Sequence, residues 1–303
     1  MKLTIGSRGS KLALTQTHHV RDQLRALHED LEVEVEIIRT TGDRSGSSLR
    51  SFGGQGVFTK ELENALLDGR VDLAVHSLKD LPTQFHADLE IVATPPREDV
   101  RDALVAGTAY SALSELPEGA VVGTGSPRRQ TQLRALRGDL ELVDIRGNLD
   151  TRIDKVARGE CAAILLAAAG LHRLGWQHHI SAYLPASDML PAAGQAALGL
   201  QMRTDHPLRA YVAALDDAST HQSISAERSL LRTLRGGCHA PVAAWARIEE
   251  DLLVLEGRVG HPSGAPLLHA RRSASPDGAE ALGAQLAEDL RAQGADSIIQ
   301  KSA

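Results

Sequence analysis

Aromatic side chains make up only 3% of the 303 residues: two Trp, three Tyr and three Phe. That is too few for a surface on which nucleic-acid bases stack. Basic residues are also outnumbered, 33 Lys and Arg against 39 Asp and Glu, and the net charge of −6 disfavours a nucleic-acid partner. There are two cysteines, Cys161 and Cys238, far apart and without zinc or haem spacing. One disulfide between them stays open, but nothing suggests a secreted cystine scaffold. No run approaches about 18 apolar residues, so no membrane-spanning helix is expected. Arg8 and Lys11 interrupt the apolar stretch near the N-terminus, which disfavours a secretory signal. The expectation is a cytoplasmic protein with no membrane or nucleic-acid partner.

What the chain does have is an alternation of short strands and helices. Its length exceeds one ordinary core and predicts two or three domains. Residues 2–6 read as a strand, 11–28 as a helix capped by Ser10, and 31–38 (LEVEVEII) as a half-buried strand. This βαβ unit requires a parallel sheet. Residues 40–56 are rich in Gly and Ser and read as either a disordered linker or a mobile loop over a site, their place between a strand and a helix favouring a loop inside one domain. A helix over 58–67 leads into strands at 71–75 and 89–93. After Pro95 and Pro96 a second series begins, with strands at 103–106, 120–122, 140–145 and 161–166 and helices at 126–137, 149–157 and 169–174. Residues 195–202 return as an apolar segment. Beyond about 205 the pattern is helices at 207–215, 219–234 and 279–293 and strands at 242–247, 252–259 and 267–270. That is a small α+β domain with an antiparallel sheet. Two α/β halves of this kind hold ligands in the cleft between them.

Three stretches carry chemistry. In VDLAVHSLKDLP (71–82) a core strand ends where His76, Ser77, Lys79 and Asp80 crowd together, and Pro82 cannot continue a central strand. Ligands of open α/β sheets bind at such carboxyl ends. GTGSPRRQ (123–130) follows a strand and opens a helix, with Pro127 in its first turn. Free N–H groups, Thr124, Ser126, Arg128 and Arg129 would suit a carboxylate or phosphate. Arg8, Arg146, Arg152 and Arg173 fall after other strands, so together they suggest a ligand with several acidic groups. GGCHAP (236–241) places Cys238 in a glycine loop, where a covalent attachment or a nucleophile would be accessible. Cys161, in CAAILL, reads as a small core residue.

These stretches, together with RGNLDTR, PAAGQAALG, IGSRGSKLALTQ and GGQGVFTKELENAL, occur in the order found in porphobilinogen deaminases (hydroxymethylbilane synthases), from about Ile5 to Pro241. The resemblance implies an α/β fold of two periplasmic-binding-protein-like lobes plus a small C-terminal α+β domain. The division would be 1–95 with 200–216, then 96–199, then 217–303. Cys238 resembles the cysteine that carries a dipyrromethane cofactor, the primer, through a thioether bond. Asp80 resembles the catalytic carboxylate, which assists ammonia loss and stabilises cationic azafulvene and pyrrole species. Four porphobilinogens would be added head to tail, and hydrolysis would release hydroxymethylbilane. Ser77, Lys79, Asp80, Thr124, Ser126, Arg128, Arg129 and Arg152 would hold the cofactor. Arg8, Ser10, Gln16, Arg146, Arg152, Arg173 and Gln195 would line the substrate side. The 44–56 segment matches a lid, with Ser51 and Gln55 where many bacterial members place lysines. A monomer with no required metal is implied. Two rivals from the residues alone are a non-enzymatic anion-binding module and a cysteine hydrolase using His239 or His76.

Overall fold

The computed structural model describes residues 1–39, 59–107, 110–237 and 240–302. The 44–56 segment, Cys238 and His239 lie outside the described residues. The chain forms two compact units, Met1–Glu98 with Ala196–His221, and Asp99–Gln195 with Gln222–Ala303.

In the first unit, β1 (Lys2–Ser7) buries Leu3 and Ile5 on the inward beat of a strand. Helix α1 (Lys11–Leu27) begins at Ser10, whose hydroxyl accepts the Ala13 N–H at 3.3 Å, and it buries Gln16, Thr17, Val20 and Leu24 at helical spacing. Strand β2 (Glu32–Ile37) keeps Val33 inside and Glu32, Glu34 and Glu36 outside. Helix α2 (Lys60–Leu67) leads into β3 (Leu73–Ser77), which is followed by β4 (Leu89–Ala93). The strand β10 (Leu198–Arg203) returns later in the chain and completes the order β2-β1-β3-β10-β4. β1 runs parallel to β2 and β3, whereas β10 is antiparallel to β3 and β4.

The second unit repeats the plan. Strand β5 (Asp102–Ala106) is followed by β6 (Val121–Gly123), α3 (Pro127–Leu136), β7 (Glu141–Val143), α4 (Leu149–Ala157), β8 (Ala163–Ala167), α5 (Ala168–Arg173) and β9 (Ala182–Leu184). Their order is β7-β6-β8-β5-β9. β6 is parallel to β7 and β8, and β5 is antiparallel to β8 and β9. In both sheets the fourth strand is the antiparallel one, and in both it brings the chain across from the other unit. The strand expected over 161–166 begins two residues later, so Cys161 precedes it, buried with its thiol pushed up by burial. Strand β9 has only three residues, too few to show a period.

The second unit also holds a meander of β11 (Val242–Glu249), β12 (Leu252–Gly260) and β13 (Leu267–Ala274), all antiparallel. α6 (Arg209–Ala213) precedes it in the first unit. Helices α7 (Ala218–Thr233), α8 (Ala279–Ala292) and α9 (Ala295–Ser302) complete the chain. Leu230, Leu234, Leu253, Leu255, Leu282, Leu286 and Leu290 form one buried core there. This meander packs on α3. Arg258 of β12 donates to Gln132 Oε1 at 3.1 Å, and a Cβ at Gly260 would sit 2.4 Å from Thr131 Oγ1. Among the described residues no helix is long and apolar enough to cross a membrane.

Candidate functional site

In the first unit the candidate residues collect where β1 and β3 end. β3 has Leu73, Ala74, Val75 and His76 all buried, and it breaks into one 3₁₀ turn, Leu78–Asp80. Leu78 anchors that turn: its N–H donates to Ala197 O at 3.0 Å, and its side chain fills the space that a Cβ at Gly199 would enter at 2.6 Å. With Leu78 turned inward, Lys79 is half-buried and Asp80 is exposed. Ser77 Oγ lies 2.9 Å from Gln16 Nε2, which ties the strand end to α1. Arg8, half-buried, follows β1. The Ser10 oxygen is engaged in capping α1.

His76 stands apart from this group. It is buried, and its Nε2 lies 3.0 Å from Gln201 Oε1, while Gln201 Nε2 donates to Glu63 Oε1 at 3.2 Å. Burial lowers the His76 imidazole to about 4; the Gln201 bond opposes that shift and Arg8 adds to it. It is therefore neutral near pH 7.

In the second unit, Thr124 to Arg129 follow β6 and open α3. The Thr124 hydroxyl accepts the Ser126 N–H at 3.3 Å, and Gln130 Nε2 donates to Thr124 O at 2.9 Å. The loop is thus closed on itself before any ligand arrives. Arg128 and Arg129 are not splayed into solvent, as a helix start with two arginines would suggest. They are 4% and 7% exposed, and both donate to the carboxylate of Asp102 at 2.7 Å. The Nε of each has no hydrogen-bond partner among the described residues. Arg146 is exposed and donates to Asp144 Oδ2 at 2.8 and 2.9 Å. Arg152 Nε donates to Gly147 O at 2.8 Å, and Arg173 is half-buried at the end of α5. Gln195 is fully buried, and its Nε2 donates to Val100 O and Asp102 Oδ1, each at 2.8 Å.

A family model described as "Porphobilinogen deaminase, dipyromethane cofactor binding domain" matches residues 3–209, and one described as "Porphobilinogen deaminase, C-terminal domain" matches residues 221–292. The chain belongs to the porphobilinogen deaminase family. The porphobilinogen deaminase of Syntrophobacter fumaroxidans is 45% identical over 99% of this chain and 97% of that protein. That of Bordetella parapertussis is 49% identical over 98% of this chain and 95% of that protein. Among solved structures, the methionine-binding protein MetQ is similar at 12% identity and a TM-score of 0.44, covering 73% of this chain and 90% of that one. The periplasmic VFT2 domain of Bordetella pertussis BvgS is similar at 16% identity and a TM-score of 0.40, covering 71% of this chain and 85% of that one.

The described residues fit an acidic cofactor of this family. Two guanidiniums and one carboxylate are buried together at the start of α3, with one positive charge in surplus and two Nε donors unpartnered. Buried charge of one sign is costly unless something of the opposite sign meets it. Sequence reasoning missed Asp102. Its signal was present: a carboxylate opening a strand, Asp102–Ala106, that is otherwise wholly apolar must be either exposed or paired. Glu227 was missed as well. It is fully buried on α7, where it accepts the Gly194 N–H at 2.7 Å and the Ala246 N–H at 2.8 Å, so it pins the PAAGQ loop to β11.

Proposed function

We propose that this chain is a transferase of tetrapyrrole synthesis that joins four porphobilinogen units head to tail on a dipyrromethane primer bound to Cys238. Ammonia leaves at each addition, and hydrolysis frees hydroxymethylbilane. The observation that carries the reading is the buried Arg128–Asp102–Arg129 cluster with its surplus positive charge, within a chain matched by the family along nearly its whole length. When bound, the primer would supply the pyrrole carbon to which the first unit joins, each later unit joining the ring added before it.

The chain's own groups do the rest. Asp80, exposed at the end of β3, is the carboxylate that stabilises developing positive charge on a pyrrole and holds or returns a proton there. Its turn is anchored by Leu78, so the backbone that carries the carboxylate is held before substrate arrives. Lys79, Ser77, Thr124, Ser126, Arg128, Arg129 and Arg152 bind acidic side chains of the primer. Arg8, Arg146 and Arg173 meet those of incoming units. Ser10 supports Arg8 by starting α1, and Gln16 supports Ser77. The protein works as a cytoplasmic monomer.

Intact mass of the purified protein tests the reading. The expected result is an excess equal to two linked pyrroles, lost in Cys238→Ser. Asp80→Asn should keep that excess and lose most turnover, while its circular dichroism stays that of the parent. An active protein of unmodified mass would sink the proposal.

A further inference from the structure

Asp102 opens β5, and the strand register sets it opposite Ala167, the last residue of β8, and Leu184, the last of β9. Because β5 runs against β8, the start of β5 lies at the sheet edge where β6 and β8 end. The side chain is fully buried. Oδ2 accepts Arg128 Nη1 at 2.7 Å; Oδ1 accepts Arg129 Nη2 at 2.7 Å and Gln195 Nε2 at 2.8 Å. The same arginines are held a second time, Arg128 Nη1 by Leu190 O at 2.8 Å and Arg129 Nη1 by Leu165 O at 2.9 Å. The nearby Arg101 does not compete, because it pairs with Asp99 at 2.6 Å and lies over the Tyr183 ring. Burial pushes the Asp102 carboxyl up, but the charges and hydrogen bonds of the two arginines outweigh it and hold the group well below the usual carboxylate range.

Two guanidiniums side by side in a buried place repel each other. One shared carboxylate removes most of that repulsion and fixes both planes. Ordering a free arginine costs rotamer entropy. Here that cost falls on folding and not on ligand binding. We propose that Asp102 is a positioning residue for primer binding. It clamps the Nη ends of Arg128 and Arg129, with Gln195 steadying its Oδ1, so that the two Nε donors and one surplus positive charge remain for the primer's acidic groups. The inference rests on the reading of Arg128 and Arg129 as primer-holding residues. It moves Gln195 from direct substrate contact to support of Asp102.

The test uses full-length protein made without porphobilinogen, then incubated with porphobilinogen while mass spectrometry follows the gain of two pyrroles. In Asp102→Asn, which keeps size and one acceptor oxygen, the porphobilinogen concentration for half-maximal loading should rise at least tenfold, with high concentrations restoring the modification. Gln195→Met, which keeps every charge, should raise it several-fold. A purely structural role would lower the thermal midpoint and leave the half-maximal concentration unchanged, and that result in Asp102→Asn overturns the proposal. If Asp102→Asn does not fold, Gln195→Met decides: an unchanged half-maximal concentration overturns the proposal and a raised one supports it. A parent protein that gains no mass at all would sink the primer reading itself, a separate outcome.

Discussion

His76 and Ser77 are consecutive in β3 yet have opposite duties, because a strand sends successive side chains to opposite faces. Ser77 joins Gln16 at the candidate site, while His76 turns into the sheet and meets Gln201. The imidazole is lowered to about 4 by burial. In the unfolded chain it titrates near its ordinary value of about 6.5. Between those values the unfolded state binds a proton that the folded state refuses. Stability is therefore lost as pH falls through that window and is fully present above it. At pH 5 the loss from this one residue is about 2 kcal/mol. His76→Gln keeps a donor for Gln201 and removes the titration. Urea unfolding at pH 7 and pH 5 should show a drop smaller in the variant by that amount; equal drops would show that His76 is not responsible.

At the scale of elements, α7 and α8 approach closely at Gly283. A Cβ at Gly283 would lie 2.3 Å from Ala226 O, 2.8 Å from Leu230 N and 2.7 Å from Ser229 Cβ. Two of those atoms are backbone and cannot swing away. Alanine is the better helix former by about 1 kcal/mol, but overpacking costs typically about 1–3 kcal/mol and here has no flexible neighbour to absorb it. Gly283→Ala should therefore lower stability by about 2 kcal/mol, read as a shift in the denaturant midpoint at unchanged slope. A stabilised variant would mean that the helices separate easily. Nothing in the pattern of residues 279–293 singled out Gly283, because its neighbours on the other helix are more than fifty positions away. Long periodic elements such as α1 and α8 were readable because their pattern is local. β9 and α9 were not, since three residues (AYL) and a final ADSIIQKS carry too little period. Strand order was not readable either, because β10 pairs with β3 across more than a hundred residues of chain, and no local signal encodes that.

For the whole molecule, the candidate residues were legible as a set of strand ends, and the polar partners behind them were not. Asp102 meets Arg128 from 26 positions away and His76 meets Gln201 from 125, so only the folded chain brings them together. The same contrast governs electrostatics. The chain carries a net charge of −6, yet its proposed substrate is acidic. Six charges at roughly 25 Å, a surface distance suited to this chain length, repel a unit negative charge by about 1 kcal/mol in unscreened water. One charge-assisted hydrogen bond from arginine contributes roughly 1.5–3 kcal/mol, so a few local arginines overcome the global field. Salt acts on the two unequally. A Debye length of about 10 Å at 0.1 M suppresses the long-range repulsion but weakens the half-buried Arg8 and Arg173 less. The exposed Arg146, already paired with Asp144, loses the most. Raising salt from about 10 to about 200 mM should thus change KM for porphobilinogen by less than about fivefold, with an initial fall as repulsion is screened. Steady-state kinetics across that range checks it. A rise of tenfold or more would assign substrate binding to the exposed Arg146 and not to the half-buried Arg8 and Arg173.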